Sequence, residues 1–393
     1  MLTCRGFLFC IVYIGRKESL GCVMKIKNIL LICVFLVLIV GGAIFGWYGY
    51  STDHTDCTKS QIIADLKIRL NKDKTIYKEN HSLDKVLGQH DVLKVIYRNK
   101  KFYGTHTAER SIALTNFLNK HVKLKSDKNF VFYMFVLDVA KVPELDFSIK
   151  HTPILMTDMD RGTYIKNTQF LVPDYFLIRK GFGVVSQKVR KKGDSIPFLQ
   201  RKDIVFWRGA QTGGGLYNYD NKEKFPRYNL VMFSFNNPSY LDARFVSHKL
   251  WVEDSESGSK YIKHMNSLFG DKPEKYTTSA KDHVPYKYLI SLDGTVSAWD
   301  RPIKIMNGKS VLLYNSKFIQ FFTPYMQEGK HYVGVKEDLS DLKDKVDWLR
   351  SNPQEAERIA NNGRVFAEQL NPKLFACYYQ NVLEHIQKNF VSS

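Results

Sequence analysis

VFWRGAQTGGG, Val205 to Gly215, carries Arg208 out of an apolar run and through Gly209 into a glycine-rich turn. Glycines let backbone N–H groups approach a phosphate closely, although neither the Walker nor the dinucleotide spacing is present. Two more arginines occupy comparable places: Arg227 in KFPRYNL, and Arg301 in DRPIKIMN, just past the run YKYLISLDG. Three guanidiniums beside strand ends can form a fork-shaped clamp on a diphosphate. Lys287, inside YKYLISLDG, can add charge to that clamp or can be a structural lysine that snorkels to the surface. FVLDVAKVPEL ends an apolar run on Asp138, between Leu137 and Val139. A carboxylate so placed can accept a proton, and a loop-capping aspartate is the plainer alternative. TDMD, Thr157 to Asp160, has two carboxylates spaced to hold a divalent ion. Nothing nearby in the sequence completes that site, so TDMD reads as a solvated turn opening on Asp. No Cys/His cluster has zinc spacing and no Gly-x-Ser-x-Gly elbow occurs.

The elements that must hold these residues alternate between strand and helix. DVLKVIYR, NFVFYMFVLDV, PILMTD, YFLIRKGFGVV, DIVFWRGA, YKYLISLDG, SVLLYN and HYVGV read as strands, and RSIALTNFLNKHV as an amphipathic helix. YNLVMFSFN fits either period. The alternation predicts parallel sheets with ligand sites at the strands' carboxyl ends. The tail reads as helical throughout: DLSDLKDKVDWLRS with Asp338 or Ser340 as cap, NPQEAERIANNG with Asn352 as cap and Pro353 at the first helical position, then LFACYYQNVLEHIQKNF.

The chain has 393 residues, enough for two domains, and 44% hydrophobic content argues for a globular protein. Its net charge of +19 favours an anionic partner: nucleic acid, an acidic membrane surface or a phosphorylated substrate. No arginine-rich tract or low-complexity arm accompanies that charge. Ile29 to Tyr50 carry no charge and match a bilayer's thickness, with Lys25 and Lys27 before them, Asp53 and Asp56 after, and Trp47, Tyr48 and Tyr50 as an interfacial belt. An uncleaved anchor is the expectation. Its charge flanks put the N-terminus inside and the bulk of the chain outside the cytoplasm. Met24 is a more natural start than Met1. Only two of the six cysteines, Cys57 and Cys377, lie in the body of the chain, so a single disulfide between them is open.

WRGA, Pro226–Arg227, LDAR at Leu241–Arg244, YKYLISLDG, the Arg301 segment ending in GKSVLLY, and FFTPYMQEGKHYVGVKEDLSDL together resemble glycosyltransferase family 90. The likeness runs from about Asn129 to Asn389. It includes protein O-glucosyltransferases, capsule-associated proteins and bacterial lipopolysaccharide-modifying enzymes, the last being nearest because the chain lacks a cysteine framework. The resemblance implies an α/β fold of GT-B type, with two facing Rossmann-like domains and a C-terminal helix packing across them, here preceded by a transmembrane helix. The boundaries are 1–23 for a leader or a start placed too early, 24–50 for the anchor and 51–90 for a stem. An acceptor-side domain at 91–195, a nucleotide-sugar domain at 196–352 and terminal helices at 353–393 complete the chain. The resemblance further implies an inverting transferase that takes a glucose-like hexose or xylose from a UDP-sugar with no metal and no other cofactor. Asp138, before a Val-Pro pair, matches the catalytic base. Arg227 and Arg301 match contacts to the donor diphosphate, and Asp242 matches a further acid near the site. Trp299 and Asp300 stand where the family has smaller residues. The partners expected are a UDP-sugar, a glycan or lipopolysaccharide acceptor and membrane lipids, with no nucleic acid. The favoured location is the bacterial inner membrane with a cytoplasmic catalytic domain, where UDP-sugars are plentiful, against the direction of the charge flanks; the alternative, which agrees with those flanks, is a protein O-glycosyltransferase in the endoplasmic reticulum or Golgi lumen. An inactive, membrane-tethered polyanion-binding module is the alternative of another class.

Overall fold

The structure is a computed structural model that describes residues 60–84, 92–105, 109–135, 151–161, 169–179, 181–247, 249–270 and 279–391. The apolar run Ile29 to Tyr50 and Asp138 lie outside these residues. Among the described residues, no helix is long and apolar enough to cross a membrane.

Leaving aside single turns of four residues, the helices in chain order are α1 (Gln61–Lys72), α2 (Glu109–His121), α3 (Phe182–Asp194), α4 (Pro226–Asn236), α5 (Glu256–Phe269), α6 (Arg301–Asn307), α7 (Leu342–Ser351), α8 (Pro353–Gln369) and α9 (Pro372–Asn389). The strands are β1 (Val92–Arg98), β2 (Lys101–Gly104), β3 (Phe130–Phe135), β4 (Ile154–Met156), β5 (Asp158–Asp160), β6 (Gln169–Leu171), β7 (Lys202–Gly209), β8 (Leu241–Phe245), β9 (Tyr286–Ser291), β10 (Val311–Tyr314), β11 (Phe318–Gln320) and β12 (Val333–Gly334). The fold is mixed α/β. One five-stranded sheet has the order β2-β1-β3-β4-β6 and the other β12-β10-β9-β7-β8. Every pairing in the second sheet is parallel. The first departs from the all-parallel expectation, because β1 pairs antiparallel with both β2 and β3.

Two cores form, and the first takes in one face of the second sheet as well, through Phe206, Leu289 and Leu312. All six residues of β3, FVFYMF, are buried, as befits a strand covered on both faces. The second core is built from Val205, Trp207, Leu241, Tyr288, Ile290, Val311 and Leu313 with the apolar faces of α7 and α8. α9 returns to the first core: the Tyr379 hydroxyl donates to the Pro173 carbonyl at 2.7 Å, and Gln387 donates to the Ser126 and Lys128 carbonyls. Ile62, Ile63, Leu66 and Leu70 bury one stripe of α1 in that core too. Burying a side chain of this size contributes about 1.5–3 kcal/mol. The segment read as a stem is therefore packed from Gln61 to Tyr77, whose backbone bonds to Asn389 and Val391.

Two readings of local structure are overturned. YFLIRKGFGVV is not a strand. Asp174 caps a helical turn, Tyr175–Ile178, by accepting from the Phe176 and Leu177 N–H groups. Gly181, at φ 108°, then turns the chain into α3. TDMD is not a solvated turn: Thr157 and Asp158 are buried, and β5 pairs antiparallel with β11. α7 also begins later than expected, with Asp341 at its N-cap.

Candidate functional site

The parallel pairing of β7, β8, β9 and β10 brings their carboxyl ends to one edge. There β7 runs into the 210–216 turn and β9 into the segment 292–299, while α4 and α6 each begin with a proline in the first turn. Proline suits that place because its missing N–H has no intrahelical partner there. Arg227 and Arg301 stand beside those prolines.

Arg227 is 7% exposed and is a brace. Its Nε–H donates to the Asp293 carbonyl (2.9 Å), Nη1 to the Ala210 carbonyl (2.9 Å) and Thr212 Oγ1 (2.7 Å), and Nη2 to the Leu292 carbonyl (3.2 Å). One guanidinium thus ties the glycine-rich turn to the Asp293–Gly294 turn. The approach is so close that a Cβ on Gly294 would lie 2.5 Å from Thr212 Oγ1 and 3.0 Å from Arg227 Nη2. Glycine is required there by space.

The Trp207 ring lies across Gly209, where a Cβ would meet Cζ2 at 2.4 Å. Both arginines reach that ring, Arg227 Cζ at 5.8 Å and Arg301 Cζ at 5.6 Å from its centroid, within cation–π range. Among the described residues, Arg301's guanidinium has this ring contact and no hydrogen bond or ion pair. Burial first, then repulsion from Arg227, lowers its pKa to about 9, with Asp300 acting in the opposite sense. Asp300 itself pairs with Lys304 at 2.7 Å. Trp207 Nε1, Ser291 Oγ and Ser297 Oγ are buried without a hydrogen-bond partner among the described residues. This edge therefore concentrates positive charge and unused hydrogen-bonding groups, which is what an anionic oxygen-rich ligand requires.

The other predicted residues fall elsewhere. Arg208 lies over the Phe206 ring and pairs with Asp242 at 2.9 Å, so each neutralises the other on adjacent strands. Lys287 sits at the amino end of β9 and pairs with Asp203 near the start of β7, at 3.0 Å. Ser291, at the carboxyl end of that strand, lies four positions further on, about 13 Å at strand rise. It is a structural lysine and not part of the arginine cluster. Asp138 lies outside the described residues.

Sequence reading named Asp158 within TDMD but missed buried Asp174 and half-buried Asp293, both of which feel its charge. Asp174 is fully buried, accepts from Gln320 Nε2 at 3.2 Å, and has its pKa raised to about 7 by burial and then by Asp300. Burial likewise raises Asp293 to about 7, although Ser316 and the Lys317 N–H donate to it. Asp158 accepts from the Ser297 N–H at 3.1 Å, linking β5 to the segment before Arg301. No three His, Cys, Asp or Glu side chains among the described residues converge to hold a metal. The only hint in sequence was the apolar setting of each acid, which does not reveal what packs against it.

Comparison with known proteins agrees with this geometry. The family model described as glycosyl transferase family 90 matches residues 178–392. Protein O-glucosyltransferase 3 of Rattus norvegicus is 31% identical over 212 residues, covering 53% of this chain and 37% of that protein. Protein O-glucosyltransferase 2 of Danio rerio is 30% identical over 49% of this chain and 34% of its own length. Protein O-glucosyltransferase 1 of Rattus norvegicus is 26% identical over 49% of this chain and 43% of its own. The chain thus spans well under half the length of these relatives. The family match contains the whole arginine edge and begins after Asp138. With more than half of its residues matched, the second sheet and the edge that carries Arg227 and Arg301 among them, this chain is a member of glycosyl transferase family 90.

Proposed function

We propose that the protein is an inverting, metal-independent glycosyltransferase of GT-B type that moves a glucose-like hexose or xylose from a UDP-sugar to an acceptor hydroxyl. The observation that carries this reading is Arg301: a half-buried guanidinium with no ion pair among the described residues, its pKa lowered, sharing the Trp207 ring with Arg227 at the carboxyl edge of a parallel sheet. In a single displacement the acceptor oxygen bonds to the anomeric carbon as the bond from that carbon to the diphosphate oxygen breaks. Negative charge builds on the leaving UDP. Arg301 meets it directly, and Arg227 supports it through the turns it braces. A preorganised donor of this kind is worth about 100- to 1000-fold in rate. The acceptor proton passes to a base, for which Asp138 is the candidate by resemblance, contributing about 100- to 10,000-fold.

For the acceptor, the charge of +19 suits an anionic glycan such as lipopolysaccharide core. A second reading, transfer to protein in an oxidising lumen, is favoured by a specific observation: Cys377 is disulfide-bonded, and such bonds persist in secretory compartments. The charge flanks of the expected anchor point the same way, and the matched relatives are named protein O-glucosyltransferases. A screen of nucleotide sugars with and without lipopolysaccharide or folded protein acceptors, read by UDP release, tests both. Release from a UDP-hexose or UDP-xylose supports the reading, and release from none of them contradicts it.

A further inference from the structure

A cavity of about 920 Å³ lies between α1, β6, β11 and α9, and none of Arg208, Arg227 and Arg301 lines it. Its accessible apolar surface comes from Ile76, Phe170, Ile319, Pro324 and Tyr325, while Leu66, Leu70 and Tyr378 line it almost closed to solvent. Its rim is cationic, with Arg69, Lys72 and Lys74 all exposed. The acids at this rim are engaged: Asp73 accepts from the Thr75 N–H and Tyr77 and pairs with His385, and Asp65 accepts from Gln61. The same edge leaves two isoleucines in solvent, Ile68 at 53% and Ile76 at 52% exposure, interleaved with Lys67, Arg69, Lys72, Lys74 and Lys78. Exposed aliphatic side chains alternating with cations are what a protein surface presents to an anionic bilayer. In sequence, only Ser51 to Ser60 separate α1 from the uncharged run that ends at Tyr50.

We infer that this cavity takes an acyl chain of an anionic membrane phospholipid, with the phosphate held at the Arg69–Lys72–Lys74 rim. The volume lies in the range of built ligand sites, and an apolar interior with a charged mouth fits an amphiphile better than a sugar or a nucleotide. Each buried methylene and each cation near the phosphate adds to the affinity. The site would seat the catalytic unit against the membrane.

The test uses the full chain in nanodiscs. Tyr325, partly buried at the lining, is replaced by tryptophan, and acyl chains are brominated on either phosphatidylglycerol or phosphatidylcholine. Brominated phosphatidylglycerol should quench most of the fluorescence that Tyr325→Trp adds, and brominated phosphatidylcholine should quench little of it. Native mass spectrometry of the unmutated chain from mixed nanodiscs should retain phosphatidylglycerol. Lys72→Ala with Lys74→Ala should reduce that retention by about thirtyfold, each lysine being worth about fivefold. Absence of quenching, equal quenching by both lipids, or retention unchanged in the double variant would each overturn the inference.

Discussion

Arg301→Ala separates stability from function in a way that only a ligand-binding role predicts. In the free protein the guanidinium has no anion among the described residues and is repelled by Arg227, and its pKa falls from 12.5 to about 9. That direction means that the charged form is disfavoured by folding. Discounted for a side chain that keeps some solvent contact, the strain amounts to about 1–3 kcal/mol. Removing the charge should therefore raise the unfolding temperature by a few degrees in the absence of nucleotide. The same substitution should weaken UDP binding by about 10- to 100-fold, the worth of hydrogen bonds to a charged group, and lower turnover by about 100- to 1000-fold. Arg301→Lys should fall between, since a point charge replaces a fork. Differential scanning calorimetry with and without UDP, together with titration calorimetry, reads both effects. An Arg301→Ala chain that unfolds at a lower temperature and still binds UDP as tightly as before would show that the arginine is structural, and the reasoning would be wrong.

Gly294→Ala should weaken UDP binding at least tenfold through displacement of Thr212 and Arg227, as read by calorimetry, because its Cβ has no room. Lys287→Ala should leave UDP affinity unchanged and cost at most about 1 kcal/mol of stability in a denaturant titration, since its partner Asp203 is exposed. Asp174 has a folded pKa of about 7, raised above its ordinary 3.8, so its contribution to stability is full below pH 4 and is lost as pH rises towards 7. Asp174→Asn should remove that contribution, and the stability difference between variant and parent should change with pH between 4 and 7 and level off above it.

The strands that carry the site were legible because their apolar runs end on turn chemistry: WRGA into glycines and YKYLIS into Asp-Gly. The C-terminal helices were legible from spacing and from Pro353 and Pro372. YNLVMFSFN, ambiguous by period, is α4 because Pro226 starts a helix whose faces are largely buried. YFLIRKGFGVV was misread because its apolar content comes from two short helical pieces broken at Gly181. TDMD was misread because its strand partner, β11, lies far along the chain, and no local pattern signals that pairing. Trp207 as the ring shared by two arginines was hidden for a related reason: its two cations come from different helices. Lys287 could have been placed from sequence alone, since the second residue of a parallel strand lies at the end away from the carboxyl edge.

In the proposed reaction, fixed guanidinium groups and not a bound cation neutralise the departing diphosphate. The most direct measurement is UDP release from its preferred UDP-sugar in excess EDTA, by the parent chain and by Arg301→Ala. Chelation should leave the parent's rate unchanged while Arg301→Ala loses about 100-fold or more. A rate that collapses in EDTA and returns with manganese, or one that Arg301→Ala does not alter, would contradict it.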